Sequence, residues 1–273
     1  MSKSPPAANQ GNTRPLPVPD SLAAREILSA AWPLFKACLP LCLPLAVIGV
    51  AAGATPGAEA ALHREEHGTA YGPEWWGVAL ASTVLTLICY GAVLRLQLAL
   101  AGGGRLPVLD AIRGAAMDVP LVLPLVVMLA LPLLPAMLVT AWLGFGAPAA
   151  LLTIAAGAML VYGWFAWPAM AARDAGSAAR SPFSALALSF RLVHGRWRAI
   201  ALIAAMLLAA ILVFVLLTGI FTGVVMGLAG QANPTTQGLA FSRWLMALVL
   251  ALPVVYGGAV TVIAWRVAGQ GVV

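Results

Sequence analysis

Residues 182–229 read PFSALALSFRLVHGRWRAIALIAAMLLAAILVFVLLTGIFTGVVMGLA. The first seventeen carry apolar residues at Phe183, Leu186, Phe190, Val193 and Trp197, steps of three and four that draw one stripe on a helix. Ser184, Arg191 and Arg198 recur every seven residues on the opposite face. A helix basic on one face and aromatic on the other belongs in a membrane interface. The stretch 199–229 that follows holds no charge and is longer than the roughly 20 residues needed to cross about 30 Å of hydrocarbon. An interfacial helix feeding a membrane span is the unit from which the chain is built.

The whole composition agrees. Of 273 residues, 62% are hydrophobic and 9% charged, and mean hydropathy is +0.96. A soluble domain has about 45–50% apolar and about 25% charged residues. Too little charge is present to cover a water-soluble globule, so the fold class is all-α and polytopic. The formal net charge of +6 then bears on orientation and anionic headgroups, not on nucleic acid. Arg outnumbers Lys 13 to 2 and Ala is abundant, a bias that goes with a GC-rich bacterial genome. Cys38, Cys42 and Cys89 lie in apolar runs and imply no disulfide framework.

Six spans are expected at about 35–54, 75–95, 119–143, 147–170, 199–229 and 243–265. Residues 1–19, rich in Pro, Asn, Ser and Gly, are expected to be a disordered tail ahead of a membrane domain over 20–273. No cleavable signal is expected, because the first apolar run starts far from Met1. The odd loops hold only Arg64 and Arg243. The other 13 Lys and Arg fall in the N-terminal tail, the even loops and the C-terminus. By the positive-inside rule both termini are cytoplasmic, in a bacterial inner membrane.

Three repeats are expected, at about 20–101, 105–175 and 181–273. Three of the four tyrosines precede glycine inside an even span, at Tyr90-Gly91, Tyr162-Gly163 and Tyr256-Gly257. Pro40-Leu41-Cys42-Leu43-Pro44-Leu45 is echoed by Pro120-Leu121-Val122-Leu123-Pro124-Leu125. Segments of mixed polarity at 21–36, 107–118 and 182–198 precede the odd spans, so each repeat is an amphipathic interfacial helix plus a helical hairpin. The run from Pro182 through Ala185-Leu186, Ser189, Leu192 and Gly195 to Trp197 resembles a segment of the membrane domain attached to some bacterial glycerophosphoryl diester phosphodiesterases and of related six-span proteins. That resemblance implies an inner-membrane fold and carries over no catalytic residue, since no segment is long enough for the catalytic barrel.

Sites for chemistry are sparse. Spans three to six hold no charge between their ends, which argues against a proton relay. Arg95, at the end of span two, is placed to snorkel. Prolines 40, 44, 120, 124, 132, 135, 168 and 253 fall in spans, either opening backbone carbonyls to a substrate or sitting as ordinary membrane prolines. Pro132 and Pro135 make span three the one expected to kink. His63-Arg64-Glu65-Glu66-His67 fits H-x-x-E-H but lies in an external loop bordered by glycines, a context that does not support zinc. Gly102-Gly103-Gly104 follows a span and ends without the Lys of a phosphate loop. Gly219, Gly223 and Gly227 form G-x-x-x-G steps suited to close helix packing.

The resulting expectation is a non-enzymatic membrane protein acting through lipid contact, a protein partner or a homo-oligomer, with no cofactor and no metal. Arg191, Arg196, Trp197 and Arg198 are the candidate headgroup contacts. The alternative is a small permease or channel for an uncharged or amphiphilic substrate.

Overall fold

In hydrocarbon no water bonds to a backbone amide, so every spanning segment must satisfy its N–H and C=O groups within itself. The computed structural model describes residues 15–17, 19–67, 73–144, 146–172, 179–228 and 236–269, and among them there is no strand. Nine helices carry the described chain: α1 (Ala24–His67), α2 (Pro73–Ala101), α3 (Val108–Ala130), α4 (Leu133–Leu143), α5 (Ala147–Tyr162), α6 (Ala166–Ala171), α7 (Pro182–His194), α8 (Trp197–Leu228) and α9 (Thr236–Gly269). Side-chain hydroxyls obey the same rule. Seven threonines (Thr55, Thr83, Thr86, Thr140, Thr153, Thr218 and Thr261) donate to the carbonyl four residues earlier.

Six segments are long and apolar enough to cross a membrane: Ala24–Gly57, Glu74–Ala101, Val108–Ala130, Ala147–Ala171, Trp197–Phe221 and Trp244–Gly269. Five match the expected spans. The third does not, because 108–130 replaces 119–143. Pro132 and Pro135 have no N–H to donate, and Leu134 N–H bonds to Leu131 O at 3.1 Å in a tighter turn. The helix therefore stops at Ala130 and restarts as α4.

The segments at 21–36 and 107–118 run without a break into α1 and α3. Only the third, α7, is a separate helix. It begins with a capping box in which Ser181 and Ser184 bond to each other's backbone, with Pro182 in the first turn. Its buried face is Ala185, Ser189, Leu192 and Val193, whereas Phe183, Phe190 and Trp197 of the expected stripe stay exposed. Small residues win that face because they permit close approach.

Helix α9 is central and α8 lies at the rim: 50% of the α9 span window is buried against 17% for α8. Helix α1 packs on α2 and α9, and α2 on α3. At the junction of α1, α2 and α9 the fully buried Gln97 donates from Nε2 to Val255 O at 2.8 Å and lies 3.6 Å from Cys38 Sγ. Gly258 makes the room, since a Cβ there would stand 2.5 Å from Gln97 Oε1. The three cysteines are free thiols and buried.

Each Tyr-Gly pair adjoins the amphipathic segment of another stretch. Gly91 faces Ala115, with a Cβ at Gly91 lying 3.1 Å from the Ala115 Cβ. Tyr162 stacks on Phe190, their ring centroids 5.0 Å apart. Tyr256 donates its hydroxyl to Leu28 O at 3.0 Å and packs on Phe35. Gly219 and Gly223 meet nothing within 4 Å, so their face does not pack on described residues of this chain.

Span four breaks between α5 and α6, and Ser189 of α7 repairs it. Its Oγ accepts from Phe165 N–H at 3.0 Å and donates to Tyr162 O at 2.6 Å. Ser189→Ala leaves both backbone groups unmatched, at about 1–3 kcal/mol each. The variant should unfold at a clearly lower temperature in detergent, and an unchanged Tm would show that the break supports itself.

Candidate functional site

The end of the bundle that carries both termini collects helix ends and cations. A helix leaves its last four carbonyls unbonded, and arginine is suited to meet them. Arg266 Nη1 donates to Ala101 O, the last residue of α2, at 2.5 Å. Arg196 Nη1 donates to Ala268 O in the last turn of α9 at 3.0 Å. Leu16 N–H also reaches Ala101 O at 3.4 Å, and its side chain packs on the core. That part of the expected tail is therefore docked, while residues 1–14 lie outside the described residues.

Between α7 and α8 the chain turns at Gly195 and Arg196, with Arg196 N–H bonded to Val193 O at 2.8 Å. This turn and Asp20–Ala23 enclose a cleft of about 900 Å³. Asp20 and Ser21 line one wall; His194, Arg196, Trp197 and Arg198 line the other. Ser21 is occupied, donating to Glu26 at 2.6 Å. Arg198 lies over the Trp197 ring, 5.7 Å from its centroid, and makes no hydrogen bond or ion pair with the described residues. Arg196 keeps the donors not used on Ala268. The first N–H groups of α8 open at the same place, and a helix N-terminus favours negative charge.

Of the four candidate residues, Arg196, Trp197 and Arg198 are brought together in this cleft. Arg191 is exposed on α7 and does not line it. The arrangement offers guanidinium donors and backbone N–H groups to an anion, beside an indole that is 48% exposed. Opposite them Asp20 presents a carboxylate able to accept from a hydroxyl or ammonium. Such an arrangement can hold an anionic group beside one that donates a hydrogen bond.

A second cluster lies within the spans. Arg95 donates to Asp118 from Nη2 at 2.6 Å and from Nε at 3.3 Å, with the two side chains only 10% and 5% exposed. Arg95 therefore does not snorkel; it is an intramembrane ion pair joining α2 to α3. Gly114 admits it, for a Cβ there would stand 2.7 Å from Arg95 Nη1. The available signal was Asp118 itself, an acid near the start of span three that in hydrocarbon needs a partner. Gln97 and Ser189 were likewise not singled out for the contacts they make.

Among the described residues no three His, Cys, Asp or Glu side chains gather as a metal site. The backbone is helical through His67, so α1 takes up most of the expected external loop, but the His63 and His67 side chains lie outside the described residues. Trp75 anchors the far end, donating from Nε1 to Pro56 O at 2.9 Å.

Comparison with protein families, curated proteins and solved structures gives no match to this chain.

Removing one partner of a buried ion pair costs about 3–5 kcal/mol, because the other charge is stranded. Asp118→Asn should therefore cut the yield of folded protein and lower Tm sharply, whereas the double change Arg95→Leu with Asp118→Leu should recover most of it. Equal losses in the single and double variants would mean that the pair has a role beyond charge compensation.

Proposed function

We propose that this integral membrane protein is non-enzymatic and acts by binding an anionic lipid at the cleft formed by Arg196, Trp197 and Arg198. The observation that carries the proposal is the cleft itself: about 900 Å³, lined by two arginines and a histidine, with Arg198 in no hydrogen bond or ion pair with the described residues and resting only on the Trp197 ring. In the sequence 12 of the 15 cations fall in the segments on the side with both termini, Arg95 being drawn into the spans, and this supports a cytoplasmic position for that end in a bacterial plasma membrane. The resemblance of the Pro182–Trp197 segment to a phosphodiesterase-associated membrane domain fits the same picture. The contacts of the three Tyr-Gly pairs with the amphipathic segments support three related units arranged in a cycle.

A permease for an amphiphilic substrate is the second reading. It draws on two apolar cavities beside Tyr90, of about 240 and 300 Å³.

A ligand at about 100 times its Kd stabilises a protein by about 2.7 kcal/mol. Added phosphatidylglycerol should raise Tm in detergent well above the effect of phosphatidylcholine. Arg198→Gln, which gives up only the contact with the Trp197 ring among the described residues, should lose most of that difference. Glu at 191, 196 and 198 together should abolish it. An equal rise with both lipids, unchanged in these variants, would remove the headgroup proposal.

A further inference from the structure

Helices α8 and α9 run side by side from the cleft into the membrane, and the space between them does not close. At the level of Ala204, Leu207, Ile211, Val254 and Gly257 they border a cavity of about 240 Å³ whose remaining wall includes Tyr90. Leu208, on the same cavity, is 58% exposed, so the space opens sideways to the bilayer. Beyond Tyr90 and Val254 a second cavity of about 300 Å³ continues between α1 and α2, apolar throughout. An apolar hole of about 150 Å³ already admits benzene, and ligand pockets begin at about 300 Å³. These are chain-sized spaces.

Depth decides the occupant. From Trp197 in the cleft to Leu207 at the cavity is ten residues of α8, about 15 Å at 1.5 Å per residue. Half of a hydrocarbon core of about 30 Å is the same length. A lipid of the leaflet at that end, with its head at Arg196 and Arg198, therefore ends its chain beside Tyr90. We infer that cleft and cavity are the two ends of one binding site. It takes a single anionic phospholipid whose headgroup sits between Asp20 and Arg198 and one of whose acyl chains lies recessed between α8 and α9. The inference rests on the headgroup proposal above and adds the apolar half of the ligand.

Gly257 provides the means of testing it, because a Cβ there meets nothing within 4 Å. Leucine at 257 fills the cavity without striking the fold, and Ala204→Leu fills it from the α8 wall. Protein in vesicles of phosphatidylcholine with a minor share of phosphatidylglycerol bearing a diazirine near the chain terminus is irradiated, and the labelled peptides are mapped. Label is expected on Ala204–Ile211 and Pro253–Gly257. Displacing roughly two buried methylenes costs about tenfold in occupancy, so label there should fall about tenfold in Gly257→Leu and in Ala204→Leu. The phosphatidylglycerol-dependent rise in Tm shrinks in both without vanishing, because the headgroup contacts remain; its complete absence from the unaltered protein would instead mean failure of the headgroup site. Arg198→Gln should lower the same label, since one molecule spans both ends. Even labelling of all lipid-facing helix surfaces, unchanged in the filled variants, overturns the recessed chain. Strong label in the cavity that ignores Arg198→Gln overturns the single-lipid site.

Discussion

The absence of any hydrogen-bond partner in hydrocarbon governs this molecule. Seven threonines turn their hydroxyls back onto their own helices. Where a helix cannot satisfy itself, another supplies the group, as Ser189 does for the break in span four. Where a charge enters the spans it comes with its counterion, Arg95 with Asp118. Glycine marks these meetings: Gly114 under the guanidinium and Gly258 beside Gln97. Apart from the threonine bonds, these polar contacts inside the bundle join one helix to another.

Most of the remaining cations in the sequence fall at one end. Arg196 and Arg266 are partly structural there, closing the carbonyl ends of α9 and α2. Fixing those two helix ends also fixes the walls of the cleft, so Arg196 both caps α9 and lines the proposed headgroup site. Arg198 has no such duty and is held only against Trp197. Its guanidinium donors are open to a headgroup, and the aromatic faces of Phe183, Phe190 and Trp197 left exposed suit the boundary between headgroup and chain. Helix α8, little covered by the rest of the bundle, provides the path from that boundary to the cavity beside Tyr90.

Five of the six spans could be read from apolar length alone, and the break at Pro132 from the missing N–H. Span three was misplaced because hydropathy scores Asp118 as a boundary, whereas Arg95 neutralises it and lets the helix continue through it. Two of the three amphipathic segments merge with the following span because nothing at 36–38 or 118–119 stops a helix, while Gly195 does stop α7. The aromatic stripe of α7 was legible as an interfacial face, but its packing side was not, because close approach there favours the small Ala185 and Ser189. Arg196, Trp197 and Arg198 were legible as a basic aromatic cluster. Their meeting with Asp20 was not, because 176 residues of chain separate Asp20 from Arg196 and only the fold closes that distance.

Native mass spectrometry of the unaltered protein, released from nanodiscs of mixed bacterial phospholipids with the lipids identified, tests the central claim most directly. One anionic phospholipid per chain, held after the surrounding lipids are stripped, is the predicted result. A bare chain under the same conditions would contradict it, as would a chain carrying a stoichiometric second polypeptide and no lipid.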